Sequence, residues 1–389
     1  MPQPLLSAIQ YHTFPRPLPL WRGGALASVT LANETWGALS PNRDNVVLLL
    51  HALTGDSHAA DPHEPDNPKA AWWNPLIGPG RAFDTDRYFV ICSNVIGGCQ
   101  GTTGPASTDP ETGKPYALNF PVITVQDMVR AQREMLTGLG IRRLAAVAGG
   151  SIGGMQALEW AVRYPADVDA ALLFGATERI GPQAIGFNAI GRSAIMLDPA
   201  WCDGRYEPGH GPDTGLQIAR MVGMLTYQSS QGQWLRFGRE PASRPASASP
   251  LGEKFDIEGY LEYQGRSLAR RFDANSYLYL TRAMDLYDVA DGWESEGAAL
   301  ERIRARTLHV GMSTDWLYPP EQVRALAQKL DALGKDAVYT ELTSVHGHDA
   351  FLKEWPDMER IVGEYLDTPR VTLHAKETRR PAPTPAQAT

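Results

Sequence analysis

The sequence predicts an α/β protein with a mostly parallel central sheet and helices on both faces. Three observations carry this. Short apolar runs end in turn-forming residues; helical patterns alternate with them; and the alternation stops for a long stretch after Phe174 and then resumes. The runs are Val46–Leu50, Tyr88–Cys92, Leu144–Ala148, Ala170–Phe174, Thr307–Val310 and Val338–Leu342. Continuous apolar runs this short read as strands buried on both faces, which is the signature of a parallel sheet. Between them, Val125–Leu139 places apolar side chains at three- and four-residue steps and stops before Gly140. Gly153–Tyr164 does the same and stops before Pro165, and Pro320–Leu333 and Ala350–Leu366 repeat the pattern. Strand–helix alternation of this kind implies helices on both sides of the sheet. The alternating segment Ala25–Trp36 is expected to add antiparallel edge strands.

From about Glu178 to Arg306 no strand is expected. Helical pieces take over at Gly186–Leu197, Thr214–Thr226, Ile257–Phe272 and Ser276–Leu286. The Pro/Ser/Ala stretch Arg239–Pro250 reads as a flexible loop, and Glu377–Thr389 as a disordered tail. The expected organisation is a core of residues 1–177 and 300–369, a helical insertion of residues 178–299 over one end of the sheet, and a tail at 370–389.

A chain of 389 residues can bury one large core or two modest ones. The net charge of −8, from 36 basic and 44 acidic residues, argues against a general nucleic-acid or membrane-surface binder. Cys92, Cys99 and Cys202 form no CxxC pair and no even set, so neither a disulfide framework nor a zinc site is expected. The start, MPQPLLSAIQ, has no basic region and no long apolar run, so no signal peptide is read and a reducing cytoplasm is expected. No apolar segment approaches the length of a membrane span.

The segment LAAVAGGSIGGMQ, Leu144–Gln156, places a serine where a strand must turn sharply into a helix. Gly149 and Gly153 satisfy G-x-S-x-G around Ser151, in the strand–turn–helix setting that the motif needs. Glycines on either side keep neighbouring atoms clear, and the Ile152 N–H lies at a helix start whose dipole favours negative charge. The plain alternative is a glycine-rich turn with a capping serine. A nucleophilic serine needs a base, and the base needs an orienting acid, on loops after later strands. Asp315 follows the Thr307–Val310 strand; His346 and His348 follow Val338–Leu342. Asp315 could instead cap the helix after Pro319–Pro320. His348, next to a helix start, is the better base, but the residues alone leave both histidines open. The loop LLLHALTGDSHAA offers the Leu53 N–H as a second oxyanion donor.

With these residues in place the chain resembles the homoserine O-acyltransferases of the α/β-hydrolase superfamily. The likeness runs from Phe14 to about Leu366. It rests on LLLHALTGDSHAA, AAWWNPLIGPG, NVIGGCQGTTGPAS, NFPVITVQDMVRAQ, GGSIGGMQALEWA, IARMVGMLTYQS, RFDANSYLYLTRAMDLYD and HGHDAFL. Ile152 stands where the family more often has Met or Leu, and only its backbone is used. The resemblance implies Ser151 as nucleophile, Asp315 as orienting acid and His348 as base, which decides between the two histidines. It also implies Arg220 as the partner of an amino acid's carboxylate, a role that suits a forked guanidinium, and Asp349 as the partner of its ammonium. Tyr227 and Thr54 are further candidates for lining the pocket. Without the resemblance Arg220 would read as a solvated helix residue, and Asp349 as an acid favoured at a helix start.

The implied reaction is ping-pong transfer of an acetyl group from acetyl-CoA, a co-substrate and not a bound cofactor, to the hydroxyl of L-homoserine, in methionine biosynthesis. No metal is implied, and a homodimer is. Acetyl is preferred over succinyl because no added cation marks the pocket, and serine is the rival acceptor, one methylene being worth only ~1–3 kcal/mol. An esterase with the same triad is the alternative within the fold. A non-catalytic binding protein would not need all three triad positions filled. The segments Ala219–Leu225 and Tyr277–Leu280 could supply a dimer surface or be internal.

Overall fold

The computed structural model describes residues 9–61, 71–207, 209–242 and 253–368. The predicted loop at Arg239–Pro250 falls mostly outside these residues, and the predicted tail lies wholly outside them. An eight-stranded sheet forms the centre, in the order Gln10–Thr13, Thr30–Trp36, Phe89–Ser93, Val46–Leu50, Ala146–Gly150, Ala170–Phe174, Arg306–Met312 and Ala337–Leu342. From Phe89–Ser93 to Ala337–Leu342 every pairing is parallel. Thr30–Trp36 pairs antiparallel with both of its neighbours.

The six predicted core strands are all present, shifted by no more than two residues at their starts. Val46–Leu50 shows why they read as doubly buried: Val46, Leu48 and Leu50 enter one core, while Val47 and Leu49 enter the other. The first core packs against the helices Val125–Gly138 and Ile152–Arg163, through Met128, Met135 and Leu158. The second packs Trp73, Phe83, Phe351 and Val362 against the opposite face. The Val125–Gly138 helix starts where it does because Thr124 and Asp127 form a reciprocal capping box.

Two boundaries differ from expectation. Ala25–Trp36 does not supply the sheet edge: Ala25–Leu26 pairs with Leu18–Pro19 in a separate two-stranded piece, and Gln10–Thr13 covers Thr30–Trp36. That short strand has no apolar alternation to announce it. Ala350–Leu366 is not one helix. A 3-10 turn at Gly347–Leu352 precedes the helix Trp355–Asp367, whose Pro356 sits in the first turn, where its missing N–H costs nothing.

Among the described residues between Phe174 and Arg306 no strand of the sheet occurs. Pro182–Leu197 packs on Asp213–Tyr227, which packs on Asp256–Ala269, and Ala274–Asp285 closes against the first. A further helix, Ser230–Phe237, carries no continuous apolar stripe. It is set by its cap, the Ser229 Oγ accepting from Gly232 N at 2.9 Å. The aromatic segment Tyr277–Leu280 is internal, with Tyr277, Leu278 and Leu280 buried. Among the described residues no helix is long and apolar enough to cross a membrane.

Candidate active site

Ser151 sits between the Ala146–Gly150 strand and the Ile152–Arg163 helix at φ 57°, ψ −125°. A non-glycine residue held there is strained by about 1–3 kcal/mol and stays only if its surroundings fix it. They do: Ser151 N donates to the Phe174 carbonyl at 2.9 Å, and Met155 N donates back to the Ser151 carbonyl at 3.0 Å. A Cβ on Gly149 would lie 2.6 Å from the Leu50 oxygen and the Gly153 carbonyl carbon, so strand and helix meet this closely only through glycine. The Ser151 side chain makes no capping hydrogen bond to the helix, which removes the plain capping alternative.

Asp315 and His348 come from the loops after Arg306–Met312 and Ala337–Leu342 and meet. His348 Nδ1 donates to Asp315 Oδ2 at 2.6 Å, and Leu317 N and Tyr318 N both donate to Asp315 Oδ1 at 2.9 Å. With both carboxylate oxygens engaged, the imidazole is held in one orientation, with Nε2 free of any partner among the described residues. Burial alone would lower the His348 pKa. The charge and hydrogen bond of Asp315 outweigh it, and the imidazole titrates above its ordinary value. His346 is half-exposed, with its Nε2 3.9 Å from Glu354 and outside the cavity.

Ser151, His348, Leu53, Thr54, Arg220, Tyr227 and Asp349 line one cavity. Ile152 lies just behind it, at the first position of the helix. Apart from His346, the candidate site residues of the sequence are thus brought together. Arg220 forms no salt bridge among the described residues: Nη1 reaches Thr54 Oγ1 at 3.4 Å and Nε has no partner. Its guanidinium lies 5.7 Å from the Tyr227 ring centre. Burial raises the Asp349 pKa, a shift that Lys353 (3.8 Å away), Arg220 and His348 offset in part.

The structure adds residues that the sequence did not single out. His51 accepts from Val95 N at 3.1 Å through Nε2, so its proton is on Nδ1, which donates to the Ala52 carbonyl at 2.8 Å. That carbonyl belongs to the same peptide plane as the Leu53 N–H, so His51 fixes where the N–H points. Burial keeps the imidazole neutral by lowering its pKa. Arg271 donates to the Thr54 carbonyl at 2.9 Å from the far side of the loop. Neither contact has a sequence signal, because both partners are backbone atoms.

Residues 45–354 match the family model described as alpha/beta hydrolase fold. The chain is 51% identical over 354 residues to a homoserine O-acetyltransferase of Symbiobacterium thermophilum, covering 90% of this chain and 92% of the relative. It belongs to the homoserine O-acetyltransferase family, on the α/β-hydrolase fold. A homoserine O-acetyltransferase of Geobacter sulfurreducens is 49% identical over 357 residues, 92% of this chain and 96% of its own. Among solved structures, homoserine O-acetyltransferase from Bacillus anthracis superposes with a TM-score of 0.86 at 31% identity, covering 92% of this chain and 98% of the other. Esterase E22 superposes almost as well, with a TM-score of 0.84 at 28% identity, covering 92% and 100%. The homoserine O-acetyltransferase family and an esterase therefore share this frame, and what separates them must lie in side chains around the serine.

Proposed function

We propose that this chain is an acyltransferase that moves an acetyl group from acetyl-CoA to the side-chain hydroxyl of L-homoserine through an acetyl-Ser151 intermediate. The observation that carries the reading is the pairing of a nucleophile with an open zwitterion site. Arg220, with no acidic partner among the described residues, and the half-buried Asp349 line the same cavity as Ser151 and His348. Ester hydrolysis needs neither charge. An amino-acid acceptor uses both, its carboxylate on Arg220 and its ammonium on Asp349.

In the first half-reaction His348 takes the Ser151 proton as Oγ attacks the thioester carbon. The oxyanion forms against the N–H groups of Ile152 and Leu53. The carbon–sulfur bond breaks, and coenzyme A leaves with the proton from His348. In the second, His348 Nε2 takes the proton of the homoserine hydroxyl as its oxygen attacks the acyl carbon, and Ser151 leaves reprotonated. The helices between Phe174 and Arg306 act as a lid that keeps water from the acyl-enzyme. The product, an activated homoserine, feeds methionine synthesis. Because acetyl-CoA is a cytoplasmic metabolite, the cytoplasm is the place of action. A homodimer is supported by Ile190, Leu197, Ile218 and Leu225, large apolar residues exposed on the neighbouring helices Pro182–Leu197 and Asp213–Tyr227.

The test is rapid mixing with acetyl-CoA. One equivalent of coenzyme A should appear per site and then stop until homoserine is added. Continuous release that ignores homoserine would make the protein an esterase-like hydrolase instead.

A further inference from the structure

Three buried polar atoms on the cavity wall have no hydrogen-bond partner among the described residues: His348 Nε2, Arg220 Nε and the Tyr318 hydroxyl. Each unpaired buried group costs the fold about 1–3 kcal/mol, so one on a cavity wall is a place that a ligand can complete. The reacting hydroxyl completes His348 and the carboxylate completes Arg220. Tyr318 has no role in the reaction as written above, although it is only 1% exposed. A phenylalanine would fill the same space without the unpaired oxygen.

The placement of Tyr318 limits what its hydroxyl can meet. Its backbone N–H donates to Asp315 Oδ1 at 2.9 Å, so the triad's own acid sets the start of the side chain. Its ring lies 5.1 Å from the His348 ring, centre to centre, and tilted by 35°. The Tyr227 ring lies 6.1 Å from the same imidazole and next to Arg220. An acceptor that brings its hydroxyl to Nε2 therefore comes in beside both phenol rings. The acetyl group itself ends in a methyl with nothing to accept a hydrogen bond, and its carbonyl oxygen is turned to Ile152 and Leu53.

Resting on the acyltransferase reading, we infer that Tyr318 is a specificity-determining residue whose hydroxyl hydrogen-bonds the acceptor amino acid beside His348. It thereby favours the amino acid over water at the acyl-enzyme.

Tyr318→Phe tests this. The variant should melt no lower than the parent, because the lost oxygen had no partner. The burst of coenzyme A should keep its rate and amplitude. KM for homoserine should rise roughly three- to tenfold, the equivalent of one lost hydrogen bond, and more coenzyme A should be released without acetylated product. An unchanged KM and partition would reduce Tyr318 to packing. A slower burst with an unchanged homoserine KM would move the hydroxyl to the donor and overturn the inference. In either case a parent enzyme with a normal, homoserine-dependent burst leaves the acyltransferase reading standing. A parent with no burst, or with release that ignores homoserine, fails that reading first.

Discussion

The arginines near the two ends of the Ile152–Arg163 helix are treated in opposite ways. At its start Ser151 is strained, and among the described residues His348 Nε2 is unpaired and Arg220 has no counter-ion. At its end Arg163 is consumed by its neighbours. It is ion-paired with the fully buried Glu159, donates to the Asp291 carbonyl at 3.1 Å and stacks 3.9 Å over Trp21. Trp21 in turn donates to Asp291 Oδ2 at 2.8 Å. Burial still pushes the Glu159 carboxyl up to about 7, and Arg163 only partly offsets it. A cation at a helix C-terminus also suits the dipole. The difference shows where polar groups serve the fold and where they serve a ligand: the closed end ties together distant segments, and the open end is left for chemistry.

Ser151→Ala puts the comparison to its hardest test. It should lower kcat by about 10^4–10^6-fold and abolish the burst, with unfolding by urea unchanged. A residual burst would place the nucleophile elsewhere. Asp315→Asn should follow, at about 10^4-fold in kcat. It also has a pH signature. In the parent, kcat/KM for acetyl-CoA should fall on acidification as His348 gains a proton, with a midpoint above the ~6.5 of a free imidazole, since Asp315 raises that pKa. With Asn in place both Asp315 contributions are gone and burial is opposed only by the smaller effect of the Asp349 charge, so the midpoint should move to lower pH. An unmoved midpoint would show that another group titrates. Arg163→Ala should spare the open end: activity per folded molecule stays within about twofold, while stability to urea falls by about 3–5 kcal/mol for a broken buried pair. If activity collapsed and stability held, the two ends would not be separable.

The open end was partly legible in the sequence because its motif is local. Gly149, Ser151 and Gly153 must be adjacent for the bend to close, so the bend is written in consecutive residues. Asp315 was legible from its position after a strand. The choice of His348 over His346 needed the family likeness, since two histidines two residues apart look alike until the Gly347 turn sends one inward and leaves the other half-exposed. Arg220 and Asp349 were likewise invisible to pattern, because a helix arginine and an acid at a helix start are ordinary. The closed end was not legible at all. Trp21, Arg163 and Asp291 are far apart in the chain, and nothing but the folded sheet brings them together. His51 and Tyr318 escaped for a related reason, since each acts through backbone atoms or through the lack of a partner.

In the sheet, Phe174 stands beside Val310. The strand that anchors Ser151 N is thus itself held by a strand that leaves the ribosome much later. Until Arg306–Met312 and Ala337–Leu342 have been made, Ala170–Phe174 is an open edge and the serine has neither acid nor base. A chain that stops before them therefore lacks Asp315 and His348, the pair proposed to deprotonate Ser151. On the proposed mechanism the last two strands bring the acid and the base with them, so a chain that ends before Arg306 is expected to leave thioesters intact.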